Sequence, residues 1–158
     1  MPRPHPHIVR RTRERDSVAA LTHPLLTQVA HQAREATSAG AAAIARTCPG
    51  GGPPEVLAAA GDPALLEELD VLGAEAFAGG GPLVTRSAAA CLLEPGTGPP
   101  ATLSVLRPRL RRGAVMRECL ASLTELATEA LRAAEAERRL AETMDASVGA
   151  LAALLDLR

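Results

Sequence analysis

The sequence predicts an α+β fold: an antiparallel sheet of about five or six strands flanked by helices, with a long C-terminal amphipathic helix. Three observations carry this. A helical apolar period occupies positions 24 to 40, short apolar runs punctuated by Gly and Pro fill positions 41 to 106, and a seven-residue apolar repeat runs from Leu123 nearly to Arg158. A chain of 158 residues has the size of one domain.

Residues 1–15 combine three prolines with Arg and His, show no apolar period, and read as a disordered basic tail, with order beginning near Asp16. From Pro24 the residues Leu26, Val29, Ala30, Ala33 and Thr37 recur at helical spacing, with Pro24 suited to a first turn and Gly40 to a stop. Positions 41–46 and 55–60 flank Cys48-Pro49-Gly50-Gly51-Gly52-Pro53-Pro54. They read as two strands joined by a loose loop, against the weak strand propensity of Ala. Asp62-Pro63 opens a helix, with Asp62 as cap and Leu65, Leu66, Leu69 and Leu72 as its buried stripe. Gly73 offers a stop, and 74–78 offer room for one further turn.

Gly79-Gly80-Gly81-Pro82 breaks the chain before Leu83-Val84-Thr85, a short strand. Positions 88–93 and 101–106 are two more strands around a hairpin-like loop of Pro, Gly and Thr, and Thr102-Leu103-Ser104-Val105-Leu106 has the clearest β signature. A polar connection, 107–112, leads into the last helix. There Leu123, Ala130, Glu137, Met144 and Leu151 share one heptad position, Leu126, Ala133, Leu140, Ser147 and Leu154 lie three residues on, and Ala127, Ala134, Ala141, Val148 and Leu155 follow. Glu137 and Ser147 interrupt the stripe, and Gly149 marks a hinge or a close crossing. A helix of about 40 residues is about 60 Å long, more than a body of this size covers. Its distal half must project, fold back or pack on another chain. The expected division is therefore a tail at 1–15, a domain at 16–135 and a helical extension for dimerisation and signalling at 136–158.

Composition excludes several functions. Aromatics make up 1% of the chain, with Phe77 alone, so neither a base-stacking nucleic-acid module nor a quaternary-ammonium cage is expected. The chain has no Lys and no Asn, and its 17 basic residues are all Arg. The net charge of −1 hides a segregation. Arg3, Arg10, Arg11, Arg13 and Arg15 face Glu14 alone in the tail; Glu55, Asp62, Glu67, Glu68, Asp70 and Glu75 occupy a stretch without Arg; and Arg107, Arg109, Arg111 and Arg112 form a second basic run. Such runs read first as solvated loops and secondly as anion- or partner-docking patches.

Cys48, Cys91 and Cys119 are odd in number and widely spaced, which supports neither a disulfide framework nor a metal site and suits a reduced, cytoplasmic setting. Neither a signal-peptide core nor an apolar run of spanning length occurs, so no membrane association is expected. His5 and His7 lie on the tail, and His23 and His31 are about 12 Å apart along a helix, too far to share a metal. Cys91, within an apolar strand, reads as inert, and Cys119 beside Arg117 as scarcely more reactive. No Gly-x-Ser-x-Gly occurs and no His follows His31, which argues against hydrolysis with a His base. The triple-glycine loops lack the Lys of a phosphate cradle, and Glu67 and Glu68 point to different faces of one helix. No catalytic residue, metal or cofactor is expected.

The order helix, two strands, helix, three strands, long helix resembles a GAF domain. The likeness is carried by Leu65-Leu66-Glu67-Glu68-Leu69 with Gly81-Pro82-Leu83-Val84, by Cys91-Leu92-Leu93-Glu94-Pro95-Gly96, by Ala101-Thr102-Leu103-Ser104-Val105-Leu106, and by the start of the terminal helix from Leu120 to Leu131. It covers about residues 24–135. The resemblance implies a six-stranded antiparallel sheet, a small-molecule sensing role, and a terminal helix for dimerisation and output. The chain departs from the family in its short 73–88 segment, its missing aromatics, and the absence of both a bilin-attachment set and the cyclic-nucleotide residues. A degenerate member with a lost or altered pocket is implied.

The expected function is a non-enzymatic regulatory domain that homodimerises through Leu123, Leu126, Ala130, Leu140, Met144, Val148, Leu151 and Leu155. It would signal by contact with a protein partner, with a possible ligand pocket between the sheet and 63–82. If the chain is complete, its output passes to another protein. The competing expectation is a mainly α-helical interaction protein in which the Ala-rich runs are not strands.

Overall fold

The computed structural model describes residues 23–48, 53–96, 98–108 and 114–156; the tail expected at 1–15, with His5 and His7, and Arg109, Arg111 and Arg112 lie outside them. In order come α1 (Pro24–Ala36), β1 (Ala41–Arg46), β2 (Glu55–Gly61), a single 3-10 turn (Pro63–Leu65), α2 (Leu66–Gly79), β3 (Leu83–Val84), β4 (Ala88–Leu93), β5 (Ala101–Leu106) and α3 (Ala114–Asp156). The strands form one sheet in the order β2-β1-β5-β4-β3, and every pair is antiparallel. The sheet thus joins a hairpin, β1–β2, to a meander, β3–β4–β5, through the pairing of β1 with β5. The α+β class is as the sequence predicts, with five strands among the described residues.

Alanine fills these strands because the sheet is covered on both faces. Ala42 and Ile44 of β1, Ala89, Cys91 and Leu93 of β4, and Leu103 and Val105 of β5 pack with α1 and α3. The alternate residues Ala41, Ala43, Ala88, Ala90 and Leu106 pack under the 3-10 turn through Leu65 and under α2 through Leu69, Leu72 and Ala76. A sheet buried on both sides loses the polar-out alternation of a half-exposed one. Small side chains then let the helices lie close. The paired strands remove the mainly α-helical reading, since 41–46 and 101–106 are in register over their whole length.

Gly73 does not end α2, which continues to Gly79 and stops at Gly80 in the left-handed conformation (φ 65°). The residue is glycine because the helix crosses β5 here: a Cβ would come within 2.7 Å of Thr102 Oγ1. Asp62 caps the turn before α2 as expected, accepting a hydrogen bond from the Ala64 N–H at 2.9 Å. α1 buries Leu26, Val29, Ala30 and Ala33 but stops at Ala36 rather than at Gly40; Thr37 follows it, its hydroxyl donating to the Ala33 carbonyl at 2.7 Å.

Candidate functional site: the terminal helix and its root

α3 has 43 residues, about 64 Å of helix. Along its first half, Met116, Leu120, Leu123, Ala127, Ala130 and Leu131 are buried at helical spacing and join the core shared with α1 and the sheet. The next residue of that inner stripe is Glu135, which is only 3% exposed. Beyond it every residue from Ala136 to Leu155 is exposed.

A group of polar contacts surrounds the point where the helix leaves the body. Arg46, the last residue of β1, donates to Glu135 Oε1 at 2.9 Å and lies 3.7 Å from Glu55 of β2. Gly98, in the loop between β4 and β5 (φ 131°), fits against this carboxylate, since a Cβ there would meet both oxygens at 2.5 Å. Arg132 donates to the Pro95 carbonyl at 3.1 Å and pairs with Glu129. His23, at the start of α1, contacts Glu137 at 2.8 Å. Three chain segments, the end of β1, the β4–β5 loop and the start of α1, thus converge on residues 132–137 of α3. Glu135 Oε2 and Arg46 Nε are buried without a hydrogen-bond partner among the described residues.

The eight residues expected at a dimer interface fall into three settings. Leu123 and Ala130 lie within the chain's own core. Leu126 is half exposed and lines a groove of about 340 Å³ between α1 and α3, with Leu25, Gln28, Val29, Gln32 and Ala133. Leu140, Met144, Val148, Leu151 and Leu155 are all open, from 60% to 72% exposed, and Leu154 lies among them. Sequence reasoning missed Arg46 and Glu135. The available signal was a Glu four residues after Leu131 on an otherwise apolar stripe, and an Arg closing an alanine strand.

The expected pocket region, between the sheet and 63–82, is occupied by direct packing of α2 on β1, β4 and β5. Cys91 is buried, and desolvation pushes its thiol pKa up, with a hydrogen bond to Thr124 acting in the opposite direction. A thiol held protonated is a poor nucleophile. Cys48 is exposed and Cys119 half-buried, and the three thiols are free. Among the described residues no cluster of His, Cys, Asp and Glu could hold a metal, and no helix is long and apolar enough to cross a membrane. His31 is exposed, and His23, at the N-cap position of α1, makes no capping hydrogen bond with its ring.

No protein-family model and no curated protein matches the chain. Among solved structures, the second GAF domain of DevS from Mycobacterium smegmatis is similar with a TM-score of 0.53 and 18% identity, over 73% of this chain and 96% of that one. MglB of Myxococcus xanthus aligns over 70% of this chain and 90% of its own, with a TM-score of 0.41 and 12% identity. The first likeness shows a GAF-like fold.

Proposed function

We propose that the chain is a non-enzymatic, cytoplasmic regulatory domain of GAF-like fold, which homodimerises through the free half of α3 and signals by contact with another protein. The GAF-like fold supports the regulatory part of this reading. One observation carries the dimer: Leu140, Met144, Val148, Leu151, Leu154 and Leu155 are large, apolar, at heptad spacing and exposed. Contiguous apolar surface of this kind marks interaction sites. Burying one Leu-sized side chain contributes about 1.5–3 kcal/mol, so a few such residues from each copy outweigh the entropic cost of association.

Signalling follows from continuity. α3 is one helix from the core residue Met116 to the free face, so a shift at its root reaches the distal half as a change of pitch or register. A bound molecule would drive that shift only by its differential affinity for two arrangements. The reading calls for no metal, cofactor or nucleic acid.

Sedimentation of the whole chain tests it. A dimer is expected at micromolar concentration, converted to monomer by the double substitution Leu140→Glu, Leu151→Glu with the fold retained by circular dichroism. A wild-type chain that is monomeric at high micromolar concentration overturns the dimer.

A further inference from the structure

At the end of the sheet opposite the root of α3, the C-terminus of α1, the start of β1, the end of β2 and the end of β5 enclose a cleft of about 550 Å³, lined by Arg34, Glu35, Ser38, Ala39, Gly40, Asp62, Leu65 and Arg107. We infer that this cleft is an anion site, in which Arg34 and Arg107 together grip a phosphate group carried by a small molecule.

The first argument is charge without a partner. Arg34 is half-buried and Arg107 exposed, and among the described residues neither has a carboxylate within ion-pair distance. Two carboxylates share the cleft. Asp62 accepts from the Ala64 N–H and so has one oxygen engaged, and Glu35 is exposed in the last turn of α1. The negative end of α1 is also answered locally: the N–H groups of Thr37, Ser38 and Ala39 bond to the carbonyls of Ala33, Glu35 and Arg34. A lone Arg34 could be explained as a cation at a helix C-terminus. Arg107, arriving from a strand end, has no such explanation.

The second argument is backbone conformation. Arg107, which lines the cleft, has a positive φ (53°); the other such non-glycine residue described, Ser38 (φ 50°), takes it as the left-handed residue that closes α1, with the Ser38 and Ala39 N–H groups bonding back to Glu35 and Arg34. Left-handed backbone at a non-glycine residue is costly and clusters where a side chain must be aimed. The Arg107 N–H is tied to the Ser87 carbonyl, which anchors its backbone at the rim of the cleft. Arg34 is placed by close packing, its Cδ lying 3.1 Å from the position a Gly61 Cβ would take, so its stem runs over the bare backbone of β2.

Third, the sequence that continues from the cleft is basic: Arg109, Arg111 and Arg112 follow Arg107 within five residues. Paired guanidinium forks match a tetrahedral oxyanion in a way a single ammonium does not. The cleft is wider than a phosphate, so the group belongs to a larger ligand. The site does not depend on dimerisation.

Inorganic pyrophosphate is the probe, titrated into the whole chain at low salt and followed by amide chemical shifts. Saturable shifts at Ser38, Gly40 and Arg107 are expected. Arg34→Gln and Arg107→Gln should each weaken binding by about tenfold or more, the effect of losing a charge-assisted hydrogen bond. Arg34→Lys, which keeps the charge but not the fork, should fall between, and the remote Arg132→Gln should bind as wild type. Gln at 107 meets the same backbone conformation as Arg, and unchanged circular dichroism confirms folding; Arg34→Gln stands as the independent second variant. The site is overturned if no saturable shift appears at those amides. It is equally overturned if Arg34→Gln binds as wild type, or if the joint replacement of Arg109, Arg111 and Arg112 by Gln abolishes binding while the two cleft variants retain it.

Discussion

The two halves of α3 carry the same kind of apolar repeat and meet opposite fates. In residues 114–135 the stripe lies on the sheet and α1, and Leu131 is fully buried; in 136–156 the residues of the same heptad frame, Leu140, Met144 and Leu151, face outward. The repeat measures which face of a helix wants cover, and it does not say who provides the cover. Glu135 marks the change of setting, an acid on the inner stripe where the sheet ends and Arg46 begins. One half of the helix therefore contributes to the stability of the body, and the other is available to association.

Matched truncations test that contrast most strongly. Leu131→Ala should cost about 2–5 kcal/mol, the usual loss for a buried Leu, read as a lowered urea midpoint with unchanged slope. Leu151→Ala, at a concentration where the chain is monomeric, should stay within about 0.5 kcal/mol of wild type. A comparable loss at Leu151 in the monomer would mean that the distal half folds back onto its own body, and the contrast would fail. The next effect lies at the boundary. Glu135→Ala leaves Arg46 with only its longer contact to Glu55 and should cost about 1.5–3 kcal/mol. Hydrogen exchange should quicken around 130–137, where Arg132, Glu135 and Glu137 hold the helix, while Met116 to Leu123 stay protected. Uniform quickening along α3 would show that the contacts do not act as a local clasp.

Much of the body was legible in the sequence. The buried stripe of α1, the limits of β1, β4 and β5, the Asp62 cap and the stripe Leu65, Leu69 and Leu72 follow from local patterns, and local patterns are what periodicity and turn chemistry report. The misses share one cause. Gly73 reads equally as a stop or as a point the helix passes, and only Thr102, from a strand 29 residues later, explains why a glycine stands there. Glu135 reads as surface until Arg46, 89 residues away, reaches it. Leu123 and Ala130 could not be told from Leu140 and Leu151, because the frame is shared and only the extent of the sheet separates them. The cleft at Arg34 and Arg107 was half visible, as a basic run, but its convergence needed the antiparallel pairing that brings Gly40 beside Leu106.

The smallest expected effect concerns Gly149, the one glycine inside the distal half. A Cβ at Gly149 would meet nothing within 4 Å, so no contact of the single chain requires glycine there. Replacing it by Ala should stabilise the distal helix by about 1 kcal/mol, seen as slower amide exchange at 145–153 in the monomer. The same substitution sharpens the contrast between the halves when repeated on the associated chain. If the partner helix crosses closely at Gly149, the added methyl meets it and association weakens even though the isolated helix has gained. If association strengthens together with the helix, the crossing lies elsewhere and the interface is centred on Leu140 and Met144.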